Sequence, residues 1–322
     1  MNTMRRQWFA LLATLLAGIG AFAPASALGP IDPELQRRDR SLLEARFATL
    51  APQRPGKTDL YVIGFGGDST EDVFRNEVMY LEALMRQRFG ARDRVVSLIN
   101  HADSMTGAQT PLASLQNLRR ALHGVAETMN PEEDVLLLFM TMHGTAEHFL
   151  VAQMPPLFQE LIDPKELRAA LDDAGIRHRV IVISACYSGG FVKALSSPDT
   201  LVLTASRHDR TSFGCGPDSE ATYFGRAWMI EGLNSSADFV TAFEDAKKRI
   251  NAREKADDFE PSLPQISIGA NIRARLGHWR DHIVPGPPVP YPYDAPATPS
   301  NDETDARAAA KAPADGSVHE HR

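Results

Sequence analysis

Apolar residues along this chain fall into two recurring patterns. Short, nearly unbroken apolar runs occupy residues 60–65 (LYVIGF), 94–99, 134–141 (DVLLLFMT), 179–184 (RVIVIS) and 200–205. Runs of this length without polar alternation predict strands of a parallel sheet buried on both faces. Between them, apolar residues return at spacings of three and four. Within residues 71–89 these are Val73, Phe74, Val78, Tyr80, Leu81 and Leu84, a pattern that predicts a helix with one buried face. Asp163-Pro164-Lys165-Glu166 has the order of a helix start, with Asp as N-cap, Pro at the first helical position and Glu closing a capping box. Residues 219–231 and 237–253 read as further helices. The alternation of strand and helix implies an α/β domain built on a doubly wound sheet covered on both faces. No internal repeat is present.

The two ends of the chain lack these patterns. Arg5 and Arg6 precede a charge-free apolar run over residues 8–22, followed by Ala25-Ser26-Ala27. This is the order of a secretory signal peptide, residues 1–27, with the mature chain starting at Leu28. A retained anchor is the rival, but the run is short against the ~20 apolar residues of a membrane span. The expected location is therefore exported, periplasmic or secreted, with no stable membrane insertion once the signal is removed. Residues 28–56 read as a lead-in, 57–280 as the domain, and 281–322 as a Pro/Ala-rich disordered tail. The net charge of −7 and the lack of a basic cluster argue against a nucleic-acid partner.

In a doubly wound sheet, ligands bind outside the carboxyl ends of the strands. Three loops expected there carry unusual residues: Gly64-Phe65-Gly66-Gly67-Asp68, His143-Gly144-Thr145 and Cys186-Tyr187-Ser188-Gly189-Gly190. The chain has two cysteines, Cys186 and Cys215, and an exported protein could join them in a disulfide. The setting of Cys186 points elsewhere. It follows a buried strand and precedes two glycines and an apolar segment, which predicts a sulfur at a helix start, where backbone N–H groups favour the thiolate. His143 ends the preceding predicted strand. Adjacent parallel strands bring both loops to one edge, where an imidazole can take the thiol proton and later protonate a leaving amine. The N–H groups of Gly144 and Cys186 can then serve as an oxyanion hole.

These residues resemble a known family. His143-Gly144-Thr145 after an apolar strand and Ser184-Ala185-Cys186-Tyr187-Ser188-Gly189 are similar to the His-Gly and Ala-Cys-x-Ser-Gly signatures of legumain-type cysteine peptidases. The segments Thr204-Ala205-Ser206, Thr211-Ser212-Phe213-Gly214-Cys215, Tyr223-Phe224-Gly225 and Phe74-Arg75-Asn76 extend the likeness over residues 60–228. The resemblance implies a caspase-like three-layer α/β/α sandwich and a cysteine peptidase without cofactor, acting on a peptide or protein substrate by hydrolysis or transpeptidation. It assigns Arg75 to one wall of the specificity pocket and Ser206 to the other. The family's two acidic pocket positions fall at Ser184 and Arg226, so an excess of positive charge and an acidic or small P1 residue are expected. The position of the family's histidine-orienting asparagine falls at Val73, with Asp72 and Ser69 as substitutes.

Other readings remain open at this point. Cys186-Tyr187-Ser188-Gly189-Gly190 also resembles the serine-hydrolase elbow G-x-S-x-G, with Ser188 as nucleophile and His208 downstream, although Cys186 stands where that turn needs its first glycine. A caspase-like binding module without turnover is a third possibility. The glycine loop lacks the third glycine of a dinucleotide fingerprint, Ser69 standing there. His101, His148, His178 and His208 are scattered without metal-ligand spacing.

Overall fold

The computed structural model describes residues 31–107, 109–217 and 219–293. The signal-peptide run and the end of the chain beyond Tyr293 lie outside the described residues.

The predicted strands form the centre of the domain. They are β1 (Leu60–Gly66), β2 (Val95–Ile99), β3 (Val135–Thr141), β6 (Arg179–Ser184) and β7 (Thr200–Thr204). The six-stranded sheet has the order β2-β1-β3-β6-β7-β8, in which β8 (Gln265–Ile268) runs antiparallel to β7 and all other pairs are parallel. Side chains alternate between two apolar cores. Val135, Leu137 and Phe139 of β3 meet α2 (Asp72–Gln87), α7 (Phe239–Ala256) and α8 (Ala270–His282). Leu136, Leu138 and Met140 meet α1 (Pro33–Phe47), α3 (Leu115–Ala126) and α4 (Pro164–Asp173) on the other face. This is the three-layer α/β/α sandwich that the runs imply, since a strand buried on both faces has no position for a polar alternate.

Several elements carry no sequence signal that was read. An antiparallel hairpin, β4 (Leu150–Met154) and β5 (Phe158–Ile162), is inserted between β3 and α4. The lead-in contains α1, which docks on α3: Asp39 is buried and accepts from Asn117 Nδ2 at 2.7 Å, and Phe47 packs where Gly124 leaves room. The capping box at Asp163 forms as predicted.

Two boundaries differ from expectation. The helix predicted over 219–231 begins later, at Tyr223, and is mostly a π-helical run Gly225–Gly232 continued by α6 (Leu233–Ser235). Its first turn is capped by Thr222, whose hydroxyl accepts from the Gly225 N–H at 2.8 Å. The tail expected from residue 281 is packed as far as Tyr293. Val289 is buried, its carbonyl accepts from Tyr80 Oη at 2.7 Å, and the Tyr291 and Tyr80 rings meet edge to face at 5.0 Å. Proline forbids regular structure but leaves carbonyls and rings free to strap the domain, so low helix and strand propensity did not mean detachment.

Candidate active site

The carboxyl ends of β3 and β6 build the site. Thr141 and Ser184 are register partners on the two parallel strands, so His143 and Cys186 each leave the sheet two residues beyond a matched pair. His143 opens the loop to β4, and its carbonyl accepts from the Val151 N–H at 3.0 Å. The edge of Phe74, on the first turn of α2, meets its ring at 5.1 Å and 85°. Among the described residues no side chain hydrogen-bonds a His143 ring nitrogen. Neither substitute considered for an orienting group hydrogen-bonds His143 among the described residues, and the Asp72 carboxylate lies 2.9 Å from His101 Nε2 instead.

Gly144 comes directly against the cysteine. A Cβ there would lie 2.2 Å from the Cys186 carbonyl oxygen, so only glycine fits. Gly144 pairs with Leu150 in an antiparallel bridge flanked by Thr145 N–H to Phe149 O and Val151 N–H to His143 O. This is the non-hydrogen-bonded kind of pair, in which the residue's own N–H and C=O point away from the partner strand. Neither the Gly144 nor the Cys186 amide donates to another backbone group among the described residues.

Cys186 is half-buried and free, as is Cys215. The expected helix start is weaker than predicted: a 3-10 turn, Ser188–Phe191, leads into one α-turn, α5 (Val192–Leu195). A single turn has little dipole to favour a thiolate. The local donor comes instead from a different loop, as the Ser212 N–H points at Sγ at 3.2 Å. Tyr187 takes the left-handed conformation, φ 56° and ψ 14°, held by its N–H to Arg210 O at 2.8 Å. Such a backbone is costly for a tyrosine and persists only where neighbours enforce it. The following glycines are dictated by contact: a Cβ on Gly189 would meet His208 N at 2.5 Å, and one on Gly190 the His148 ring at 2.3 Å.

The residues assigned to the pocket are placed differently from one another. Ser206 is fully buried, donating to Ala185 O at 3.1 Å and accepting from the Ser188 N–H at 3.2 Å. It clamps the cysteine loop from below and lines no cleft. Ser188 is equally buried and accepts from the Ser206 N–H at 3.2 Å. A nucleophile needs access, so the serine-hydrolase reading does not fit this geometry. Ser184 is buried with its hydroxyl 3.0 Å from Thr222 Oγ1. The Arg75 guanidinium pairs with Asp103 and Asp72 and lies 5.9 Å from the Tyr293 ring. Arg226 lies 5.8 Å from the Tyr291 ring and attracts the carboxylate of Glu77. The excess of positive charge expected of the pocket is therefore not realised, since both arginines have acidic company.

Glu77 was not among the residues read from the sequence. It lies fully buried on α2, with Oε1 accepting from the Thr222 N–H at 2.8 Å and the Thr222 hydroxyl at 2.7 Å, and Oε2 from the Thr141 hydroxyl at 2.6 Å. Burial pushes its carboxyl above the ordinary range, against the pull of these hydrogen bonds and of Arg226. A signal was available: Glu77 stands on the apolar stripe of α2, four residues after Val73 and four before Leu81. A carboxylate there must be either partnered or functional.

The comparisons with known proteins fall on this region. The profile of the "Peptidase C13 family" matches residues 119–274, just under half of the chain, including both His143 and Cys186. No curated protein sequence matches the chain. Among solved structures, the chain is similar to one titled "structure of pro-sf-caspase-1", at 14% identity and a TM-score of 0.44, covering 67% of this chain and 90% of that one. A likeness of that depth bears no argument about function. Through the segment that supplies both strand ends of the site, the chain is similar to the peptidase C13 family, the legumain-type cysteine peptidases.

Proposed function

We propose that Cys186 is the nucleophile and His143 the general base and acid of a cysteine endopeptidase. The observation that carries this reading is the contact of the Gly144 backbone with Cys186, which supports one reaction centre between the two strand ends. His143 takes the Cys186 proton and the thiolate adds to the scissile carbonyl carbon. The oxyanion is held by the Gly144 and Cys186 N–H groups, which have no competing backbone partner among the described residues. His143 then protonates the leaving amine as the C–N bond breaks, leaving a thioester on Cys186. Water, deprotonated by His143, adds to the thioester, and the acid leaves as the thiol is restored. An amine in place of water gives transpeptidation by the same steps.

One observation favours the rival binding module: among the described residues no hydrogen bond orients the His143 ring. Its orientation rests on the edge of Phe74 instead, and apo sites commonly tighten only with substrate bound. Turnover separates the two readings. Against a mixed peptide library, Cys186→Ala and His143→Ala are expected to reduce cleavage to background, and Ser188→Ala to leave it measurable. A thiol-reactive peptide probe should map to Cys186. Cleavage that survives Cys186→Ala refutes the assignment. Export belongs to the same proposal, resting on residues 1–27. N-terminal sequencing of the mature protein should begin at Leu28, and an intact Met1 would remove it.

A further inference from the structure

The chemistry proposed above accounts for His143, Gly144 and Cys186 but leaves a fully buried carboxylate beside them without a role. We propose that Glu77 is a positioning residue, which ties the ends of β3 and β6 to α2 and so holds His143 and Cys186 at their working separation. The proposal rests on the cysteine-peptidase reading of the site for its activity arm only.

Side-chain parity provides the first support. Phe139 of β3 and Val182 of β6 face the core on the α2 side, so Thr141 and Ser184, two residues further on, present their hydroxyls to the same face. They are register partners, and both lead to Glu77. Thr141 donates directly to Oε2, and Ser184 reaches Oε1 through Thr222, whose hydroxyl lies 3.0 Å from Ser184 Oγ and donates to Glu77 at 2.7 Å. The Gly225 N–H donates to Thr222 Oγ1. That bond leaves the Thr222 proton for Glu77 and makes the Ser184 hydroxyl the donor to Thr222. All donors in the chain then point toward one carboxylate, which accepts three hydrogen bonds and gives none.

Close packing provides the second. A Cβ on Gly225 would lie 2.0 Å from Glu77 Oε1, so the helix that follows Thr222 is pressed onto the carboxylate and cannot relax around it. One turn earlier on α2, Phe74 contacts the His143 ring. A single helix therefore grips the base of both strand ends and the imidazole itself. Buried hydrogen-bonded groups of this kind specify one arrangement, and loss of one member leaves the others unpaired. A displacement of about 1 Å at a reaction centre can cost about 100-fold in rate.

The test uses Glu77→Ala and Glu77→Gln in the full chain, assayed well below the melting temperature of each. Glu77→Gln keeps an acceptor for Thr222 and needs one hydroxyl reversal at Thr141. Its kcat is expected within about 5-fold of the parent. Glu77→Ala is expected to lower kcat about 100-fold with KM within about 3-fold. A second readout needs no turnover: the alkylation rate of Cys186 by iodoacetamide should change at least about 5-fold in Glu77→Ala and not in Glu77→Gln, as expected when the thiol's setting shifts. If the parent cleaves no peptide, the peptidase reading fails while the alkylation arm still judges the positioning role. Should Glu77→Ala not fold, Thr222→Val removes the same bridge to Ser184 at equal volume, and about a 10-fold fall in kcat is expected. Unchanged kcat and unchanged alkylation in a folded Glu77→Ala, or in Thr222→Val, overturn the proposal. So does a loss of activity that merely follows the folded fraction by circular dichroism.

Discussion

The two ends of one sheet are held by different chemistry. At the amino end, strands enter between buried charges. Asp59 accepts from Arg54 N–H at 2.8 Å and from its guanidinium, with Arg94 at 3.4 Å, while its own N–H donates to Asp134. Arg179, the first residue of β6, binds Asp172 at 2.8 Å and the carbonyls of Ile176 and Leu171. At the carboxyl ends of β3 and β6, hydroxyls and glycines surround the strand ends, Tyr187 is in the left-handed region, and the Gly144 and Cys186 amides donate to no backbone group among the described residues. Two carboxylates are fully buried at this edge of the sheet: Asp68, which accepts from Thr70 and Gln153, and Glu77, partnered by hydroxyls and an amide with Arg226 attracting it from nearby. One end can be closed by charges because nothing has to reach it. The other must remain approachable to a substrate, so its geometry is set by steric contact and by hydrogen bonds beneath the surface.

This contrast predicts separable losses. The largest concerns stability. Asp59→Ala leaves Arg94 buried without its carboxylate, which costs about 3–5 kcal/mol. At about 2–4 °C per kcal/mol, the thermal midpoint should fall by roughly 10 °C. The kcat of the folded protein should stay within about twofold. A large fall in kcat without a fall in midpoint would erase the distinction between the two ends.

Gly144→Ala should do the opposite. Its Cβ meets the Cys186 backbone, which cannot move as a side-chain tip can. We expect a fall of about 100-fold in kcat/KM, with a midpoint shift of only a few degrees. Equal activity would show that the Gly144 amide takes no part in the reaction.

A smaller effect is expected at Gly190→Ala. There the obstacle is the His148 ring, which can swing outward at the loss of its bond to His208 O, 2.9 Å in the structure. About 1 kcal/mol of stability and a change below about 3-fold in activity are expected. A hundredfold loss would bring His148 into the site.

The smallest concerns Cys215. Burial, with the neighbouring Cys186 charge, pushes its thiol up to about 11 from an ordinary 9.0. The folded pKa is raised, so its contribution to stability is full below pH 9 and is lost as pH climbs through 11. Cys215→Ser should change activity less than about twofold and reduce the drop in thermal midpoint between pH 8 and 10. Intact-mass analysis after alkylation at pH 8 should show Cys186 modified ahead of Cys215. A stoichiometric bridge between the two would contradict the free thiols of the structure.

How far the site was legible varied residue by residue. His143, Gly144 and Cys186 could be read because each follows a buried strand directly, and a parallel sheet gathers such loops at one edge. Ser206 was also found from its position along the chain, but that position does not reveal depth. Its hydroxyl turned out to face Ala185 and Ser188 under the loop. Arg75 was matched by its neighbours in sequence, yet two of its partners, Asp103 and Tyr293, come from segments 28 and 218 residues away. The hairpin of β4 and β5 escaped notice because its polar positions break the apolar runs, Gln153 donating to Asp68 and Glu160 accepting from the Leu115 N–H.

By itself the sequence determined the strand and helix segments of a mostly parallel sheet and the pair of loops that carry thiol and imidazole, while the order β2-β1-β3-β6-β7-β8 came from the structure. Those segments and loops are written in local periodicity and in residues directly adjoining a strand. Only the tertiary structure decided that Glu77 lies beneath both strand ends, that Ser184 and Ser206 support the site from within, and that the proline-rich segment through Tyr293 packs on the domain. Each of these depends on which face of an element meets which neighbour across many intervening residues. Hydrogen bonds and contacts at that range are fixed by packing, and one chain's local pattern does not encode the partner.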